Sequence, residues 1–195
     1  ICSLFPYTTL FRSATGENKL SVFDNALFEQ EFAVANPELW SPDTPVLYTA
    51  ESKVYEGNTL KDEYTTRFGI RTLESVPGKG FFLNGKLTKF KGVCNHHDLG
   101  PLGGAVNDAA IRRQIRILKD MGCNAIRTSH NMPAPELVEA CDEMGMMLMV
   151  ESFDEWKSAK MANGYHKIFD EWVRSEEHTS ELQSHHDLVC RLLLE

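Results

Sequence analysis

Three short apolar runs in the second half of the chain each end in a group of polar residues. They are residues 87–93 before 95–98, residues 123–126 before 127–131, and residues 146–150 before Glu151. Between the runs, apolar positions recur at helical spacing, which predicts two helices. This alternation of strand and helix predicts a parallel sheet with right-handed crossovers. Such sheets place the residues that follow their strands at one edge, as (β/α) barrels do at their active sites.

Local signals fix the ends of the two predicted helices. Asn107 is a suitable N-cap for the first, which carries Ile111, Ile115, Leu118 and Met121 on one face and stops at Gly122. The second covers residues 133–144 and stops at Gly145. Three strands are too few to close an eight-stranded barrel. We therefore expect only the first three β/α units of a barrel, with the last strand as an exposed apolar edge.

The first half of the chain has the two-residue period of β-strands instead. Strands are predicted at 26–34, 47–55 and 60–68, and Leu60, Tyr64, Phe68 and Ile70 are expected to share one face. Asn84-Gly85 then predicts a tight hairpin. Short strands with Gly, Pro and Asn turns favour a β-sandwich, and their small number predicts only part of one.

Both ends of the chain look foreign to the rest. Residues 10–13 and 174–177 can be encoded by one DNA element read in opposite orientations, and residues 4–13 and 174–195 resemble translated sequencing adapters. We therefore expect residues 1–13 and 174–195 to be adapter-derived. Residues 14–75 are then expected to be the C-terminal part of the sandwich, and residues 76–173 the start of the barrel.

Charge and composition exclude some partners. The chain has a net charge of −8, and the two end segments hold three basic and five acidic residues, which leaves −6. Nucleic acid is not an expected partner, because phosphate binding needs clustered Lys and Arg. The longest apolar runs are too short to span a membrane. Cys94, Cys123 and Cys141 are expected to be buried free thiols.

The polar residues after the strands allow more than one interpretation. His96-His97 could bind a metal or sugar hydroxyls, although neighbouring strand residues point to opposite faces. Arg127 and His130 could satisfy backbone carbonyls or act on a substrate. Glu151 could be functional or a structural partner of Arg127.

Two tryptophans are similarly open. Trp156 and Trp172 could stack on a sugar ring or pack in the interior. The sequence alone favours neither interpretation.

Several separate motifs, in one order, resemble glycoside hydrolase family 2. They include residues 36–42, 68–71, 83–86, 91–93, 124–130 and 142–145. The segments 96–100 and 153–156 are most similar to its β-galactosidase branch. The resemblance implies an immunoglobulin-like β-sandwich followed by a (β/α)₈ TIM barrel. It also implies retaining hydrolysis by two carboxyl groups.

The resemblance assigns roles to particular residues of this chain. In this family the acid/base glutamate follows an asparagine, and the chain has no Asn-Glu pair. Both catalytic glutamates are therefore expected beyond Val173, and none within the chain. Arg127 is expected to orient the nucleophile. The residues expected to contact substrate are His96, Asp98, His130, Asn131 and Glu151.

No cofactor is expected to be required. Glu155 aligns with a Mg²⁺ ligand of some β-galactosidases, but Lys157 replaces the companion histidine. The sequence further departs from common family patterns at Val150 and at residues 131–133.

The expected function is that of a fragment of an exo-glycosidase that removes terminal β-galactosides from β-linked oligosaccharides or glycosides. A β-glucuronidase or β-mannosidase is the alternative within the family. A non-catalytic carbohydrate-binding or structural sandwich module is the alternative from another class. The resemblance is compatible with a homo-oligomeric full-length protein, and no membrane partner is expected.

Overall fold

A computed structural model describes the strands at residues 2–5 and 12–14 and the continuous stretch 33–173. Its strands are β1 (Cys2–Phe5), β2 (Arg12–Ala14), β3 (Tyr48–Glu56), β4 (Thr59–Phe68), β5 (Leu73–Val76), β6 (Gly80–Leu83), β7 (Lys86–Thr88), β8 (Gly92–Asn95), β9 (Ala125–Thr128) and β10 (Met147–Val150). The two α-helices are α1 (Asp108–Asp120) and α2 (Pro135–Met144), and short 3₁₀ turns lie at Gly100–Leu102 and Tyr165–Lys167.

The first sheet is antiparallel and has the order β2-β1-β3-β4. The hairpin β3–β4 confirms the strands predicted at 47–55 and 60–68. The shared face is buried only at its C-terminal end, where Phe68 and Ile70 pack with Tyr48, whereas Leu60 and Tyr64 are exposed. Most of the strand predicted at 26–34 lies outside the described residues, and the described residues 33 and 34 are not in a strand.

The strands β5, β6 and β7 form a three-stranded antiparallel meander. The predicted Asn84-Gly85 turn is confirmed, with φ of 51° and 73° at these two residues. Positive φ at both positions is what a tight hairpin requires. The Asn84 side chain also accepts a hydrogen bond from Thr72 N and donates one to Trp40 O, both at 2.9 Å.

The prediction of a single strand at 87–93 was wrong, because parts of two strands occupy this run. β7 ends at Thr88, and β8 begins at Gly92 in a different sheet. The Asn124 side chain explains the break, since it accepts a hydrogen bond from Lys91 N (2.8 Å) and donates one to Lys89 O (2.9 Å). These bonds fix the backbone that connects the two strands.

The second half contains the predicted parallel sheet, in the order β10-β9-β8. β8 and β9 approach so closely at Gly92 that a Cβ there would lie 2.0 Å from Ala125 O. As predicted, β10 is an edge of the described sheet, and its Met149 and Val150 are exposed.

Helix α1 begins as predicted, because the Asn107 side chain accepts a hydrogen bond from Ala110 N at 3.0 Å. Its predicted face is buried at three positions, and the core that covers the sheet consists of Ile111, Ile115, Leu118, Ile126, Ala140, Cys141 and Met146. Met121 was wrongly placed in this core. It is exposed, because α1 ends one residue earlier and the chain turns away at Gly122 (φ 85°).

The three cysteines in the described stretch are free, as predicted, but only one is fully buried. Burial raises the pKa of the Cys141 thiol. Cys123 is partly buried, and Cys94 is exposed, so the expectation of burial was wrong for Cys94.

Trp40 connects the first half of the chain to the parallel sheet. Its side chain is 1% exposed and packs with Leu83, Ala125 and Met147. Its indole N–H donates to Asp142 O at 2.8 Å.

Charged side chains add further connections across the same boundary. Lys119 Nζ donates to Pro42 O and to the last carbonyls of α2. The Glu143 carboxylate pairs with both Arg67 of β4 and Arg112 of α1. Hydrogen bonds and ion pairs therefore hold the sandwich half against the helical half. In the part of the chain that the structure describes, no helix has the length and apolarity to cross a membrane.

Candidate functional site

The carboxyl ends of β8, β9 and β10 bring four of the predicted site residues together. Arg127 Nε donates to Glu151 Oε1 at 2.5 Å, and His130 Nδ1 lies 3.0 Å from Glu151 Oε2. The ring of His96 meets that of His130 edge-on, with centroids 5.5 Å apart. We call His96, Arg127, His130 and Glu151 the strand-end cluster.

Strand register explains this convergence. Arg127 lies opposite Met149, and Thr128 lies opposite Val150 in the parallel pairing. Thr128 Oγ1 accepts a hydrogen bond from Glu151 N at 3.1 Å, which fixes the backbone that carries the carboxylate. Thr128 was not among the predicted residues, although its position at a predicted strand end could have indicated this role.

The electrostatics of the cluster favour an ionised Glu151. Burial opposes ionisation, but hydrogen bonds from Arg127 and His130 outweigh that effect and hold the pKa of Glu151 below its ordinary value. The ion pair with Arg127 that the sequence allowed is thus present. The side chains remain partly open to solvent, so a ligand can reach their polar atoms.

Cys94 also lies beside this cluster, and the sequence did not indicate that position. Arg127 Nη1 donates to Cys94 Sγ at 3.5 Å. Hydrogen bonds from Arg127 and then from Ser129 lower the pKa of the thiol. Arg127 is therefore held from two sides, by Glu151 and by Cys94.

Asp98 and Asn131 line a cavity that Glu151 does not line. This small cavity lies beneath the loops after β8 and β9, and His96 also lines it. Asp98 Oδ1 accepts a hydrogen bond from Gly100 N at 2.7 Å and so closes its own loop. The structure thus places His96 between the strand-end cluster and the cavity that contains Asp98 and Asn131.

Glu155 occupies a separate, buried position after β10. It is 3% exposed, and its Oε1 lies 2.9 Å from His166 Nδ1, while Oε2 accepts a hydrogen bond from Lys160 N at 2.5 Å. The bonds from His166 and then from Lys160 lower the pKa of Glu155 to about 2. His166 was missed, because no sequence pattern links residues eleven positions apart in an irregular segment.

The residues around Glu155 do not fit the Mg²⁺ role expected for it. Its two oxygens already accept hydrogen bonds, and Lys157 pairs with Asp170 instead. Within residues 33–173, no three His, Cys, Asp or Glu side chains converge in a way that could hold a metal ion. We therefore assign no chemical step to a metal.

Comparisons with known proteins agree with this architecture. Residues 8–71 match the family model of glycosyl hydrolases family 2, and residues 75–194 match that family's TIM barrel domain. The predicted combination of a sandwich with the start of a barrel is confirmed by these matches. The adapter origin expected for residues 1–13 and 174–195 stays a prediction.

Similar proteins carry two different activities in their names. Over 146 residues, the chain is 53% identical to the β-galactosidase BoGH2A of Bacteroides ovatus, covering 75% of the chain and 17% of that protein. Over 146 residues, it is 42% identical to a putative β-glucuronidase of Formosa agariphila, covering 75% of the chain and 14% of that protein. The chain therefore spans less than a fifth of either relative.

A solved structure supports the same fold. The crystal structure of a β-glycosidase from Bacteroides vulgatus superimposes with a TM-score of 0.74 at 42% identity. The match covers 78% of this chain and 20% of the other.

Proposed function

We propose a function for this chain from its family, because the chain belongs to family 2 of the glycosyl hydrolases. The chain is then part of a retaining exo-glycosidase that removes terminal β-galactosyl units from β-linked glycosides. The observation that carries the proposal is the strand-end cluster, where Arg127, His130 and Glu151 bond one another at the carboxyl edge of a parallel sheet. The carboxyl edge is where barrels of this type bind their substrates.

Neither Glu151 nor Glu155 suits the role of general acid. A glycosidase acid needs a raised pKa so that it holds a proton near neutral pH. The pKa of Glu151 is lowered by Arg127 and His130, and that of Glu155 is lowered to about 2. The two catalytic glutamates are therefore proposed to lie outside this chain.

The remaining residues then bind and orient. His96 and His130 present ring nitrogens to sugar hydroxyls, and ionised Glu151 accepts hydrogen bonds from them. Arg127 holds a fixed positive charge beside the reacting sugar, because Glu151 and Cys94 anchor its guanidinium. In that position it orients the nucleophilic carboxylate. Asp98 and Asn131 are proposed to contact the substrate from the neighbouring cavity.

The galactose preference is supported by the 53% identity to a named β-galactosidase. A β-glucuronidase is the second candidate, favoured by the 42% identity to a putative one. A glucuronate carboxylate needs a free cationic partner, whereas Arg127 in the cluster already pairs with Glu151. The match to a TIM barrel domain argues against a non-catalytic sandwich module.

The test is hydrolysis of para-nitrophenyl β-galactoside, β-glucuronide and β-mannoside by the complete gene product. We expect the galactoside to have the highest kcat/KM, and the 195-residue chain alone to be inactive. A preference for the glucuronide would replace the galactose assignment. Hydrolysis by the isolated chain would overturn the placement of the catalytic glutamates.

A further inference from the structure

A groove of about 570 Å³ follows β10 and is separate from the strand-end cluster. None of the four cluster residues lines it. Its polar and aromatic lining residues are Asp154, Glu155, Asn163, Tyr165 and Lys167. This volume lies within the range of sites that hold small molecules, roughly 300–1,000 Å³.

The wall that contains Glu155 is held by several contacts. Its carboxylate bonds Lys160 N in the middle of the segment that forms the groove and His166 near the end of that segment. Gly164 is required for this contact, because a Cβ there would lie 1.3 Å from Glu155 Oε1. The groove is therefore preformed, so a ligand does not have to order it on binding.

The residues that line the groove carry two carboxylates, Asp154 and Glu155, and one ammonium group, Lys167, so the lining is slightly acidic. Lys160 Nζ lies 3.0 Å from Asp154 Oδ1, and Lys167 Nζ donates to Asn163 Oδ1 at 2.9 Å. Each cation is thus already matched by an oxygen of a neighbouring side chain. The second oxygen of Asp154 and the amide nitrogen of Asn163 take no part in these two contacts. This arrangement suits a neutral ligand with hydroxyl groups better than a phosphate or a uronate.

Tyr165 supplies an aromatic surface beside these groups. Its side chain is 47% exposed, although it lines the groove. An aromatic face next to hydrogen-bonding groups can receive the apolar face of a sugar ring while the polar groups bind its hydroxyls.

The groove lies close to the cluster along the chain. Asp154 is three residues after Glu151, and three residues span at most about 11 Å. A single oligosaccharide can therefore place one unit at the cluster and a neighbouring unit in the groove.

We propose that this groove is a second sugar subsite, which binds a neutral unit of the β-linked substrate next to the unit at the strand-end cluster. The inference rests on the proposed function, because it needs an oligosaccharide whose terminal unit is cleaved. Tyr165 is the stacking residue of the subsite, and Asp154 and Asn163 are its hydroxyl-binding residues.

The test compares two substrates of the complete enzyme, methyl β-galactoside and a β-linked galactotriose, with galactose release as the readout. Only the trisaccharide reaches the subsite. We expect Y165A to lower the ratio of kcat/KM for the trisaccharide to that for the methyl glycoside by about fivefold, as is typical for loss of one aromatic contact. Y165F keeps the ring and should retain most of the ratio.

Y64A is the matched control, since Tyr64 is an exposed tyrosine on β4 and lines neither site. We expect it to leave the ratio unchanged. An unchanged ratio in Y165A would overturn the subsite while leaving the proposed function intact. Failure of the unsubstituted enzyme to hydrolyse either galactoside would instead overturn the proposed function and, with it, the subsite as a site for this substrate.

Discussion

Replacing Trp40 by Phe tests how the two halves of the chain are joined. The indole is almost completely buried against Leu83, Ala125 and Met147. Its N–H group bonds Asp142 O at 2.8 Å, at the C-terminal end of α2. Phe fills most of the same space, but it has no donor and leaves part of the pocket empty.

The two losses can be estimated separately. A protein hydrogen bond contributes about 1 kcal/mol of net stability. Removing about three ring atoms from a packed core costs roughly 2 kcal/mol more. The free energy of unfolding should therefore fall by about 3 kcal/mol. For a chain of this size, that corresponds to a fall in Tm of roughly 6 to 12 °C.

Thermal unfolding followed by circular dichroism measures this difference directly. The control is W172F, since Trp172 is 48% exposed and the same change there should shift Tm by less than about 2 °C. If W40F matched this control, Trp40 would not join the halves of the chain and the described packing would be wrong.

Three further predictions concern local contacts. G164A should lower Tm clearly, because the new Cβ would lie 1.3 Å from Glu155 Oε1. G104A is the control and should not lower Tm, because a Cβ there would lie 3.8 Å from its nearest neighbour. Equal Tm values for the two variants would refute the contact. Glu155 has a folded pKa of about 2, below its ordinary 4.5, so its contribution to stability is complete above about pH 4.5 and is lost as pH falls towards 2. A pH series of Tm should therefore fall more steeply below pH 4.5 in the unsubstituted chain than in E155Q, and parallel curves would contradict the carboxylate's role. N107A should reduce the free energy of unfolding by about 1 kcal/mol in urea denaturation, because the N-cap bond of α1 is lost. N107D keeps a side-chain acceptor and should retain most of this free energy. Equal losses in the two variants would argue against the cap.

Several turns and helix ends could be predicted because their signals are local. Three such features are the N-cap at Asn107, the helix end at Gly145 and the Asn84-Gly85 turn. Each depends on residues that are only a few positions apart in the sequence. Parallel pairing followed from the alternation of strands and helices, and it placed Arg127, His130 and Glu151 together.

The failures involve contacts between distant residues. The run 87–93 is interrupted by the side chain of Asn124, which lies more than thirty positions later. Glu155 is fixed by His166 from within an irregular segment. In the first half, alternation placed Tyr64 on a shared face but could not show where burial along that face ends.

The measurement that tests the central claim most directly is proton NMR of the first product released from para-nitrophenyl β-galactoside by the complete enzyme. A retaining glycosidase of this family should release the β-anomer of galactose first, before mutarotation. Initial release of the α-anomer would contradict the retaining mechanism. No release of galactose by the complete enzyme would contradict the assignment of this chain to a β-galactosidase.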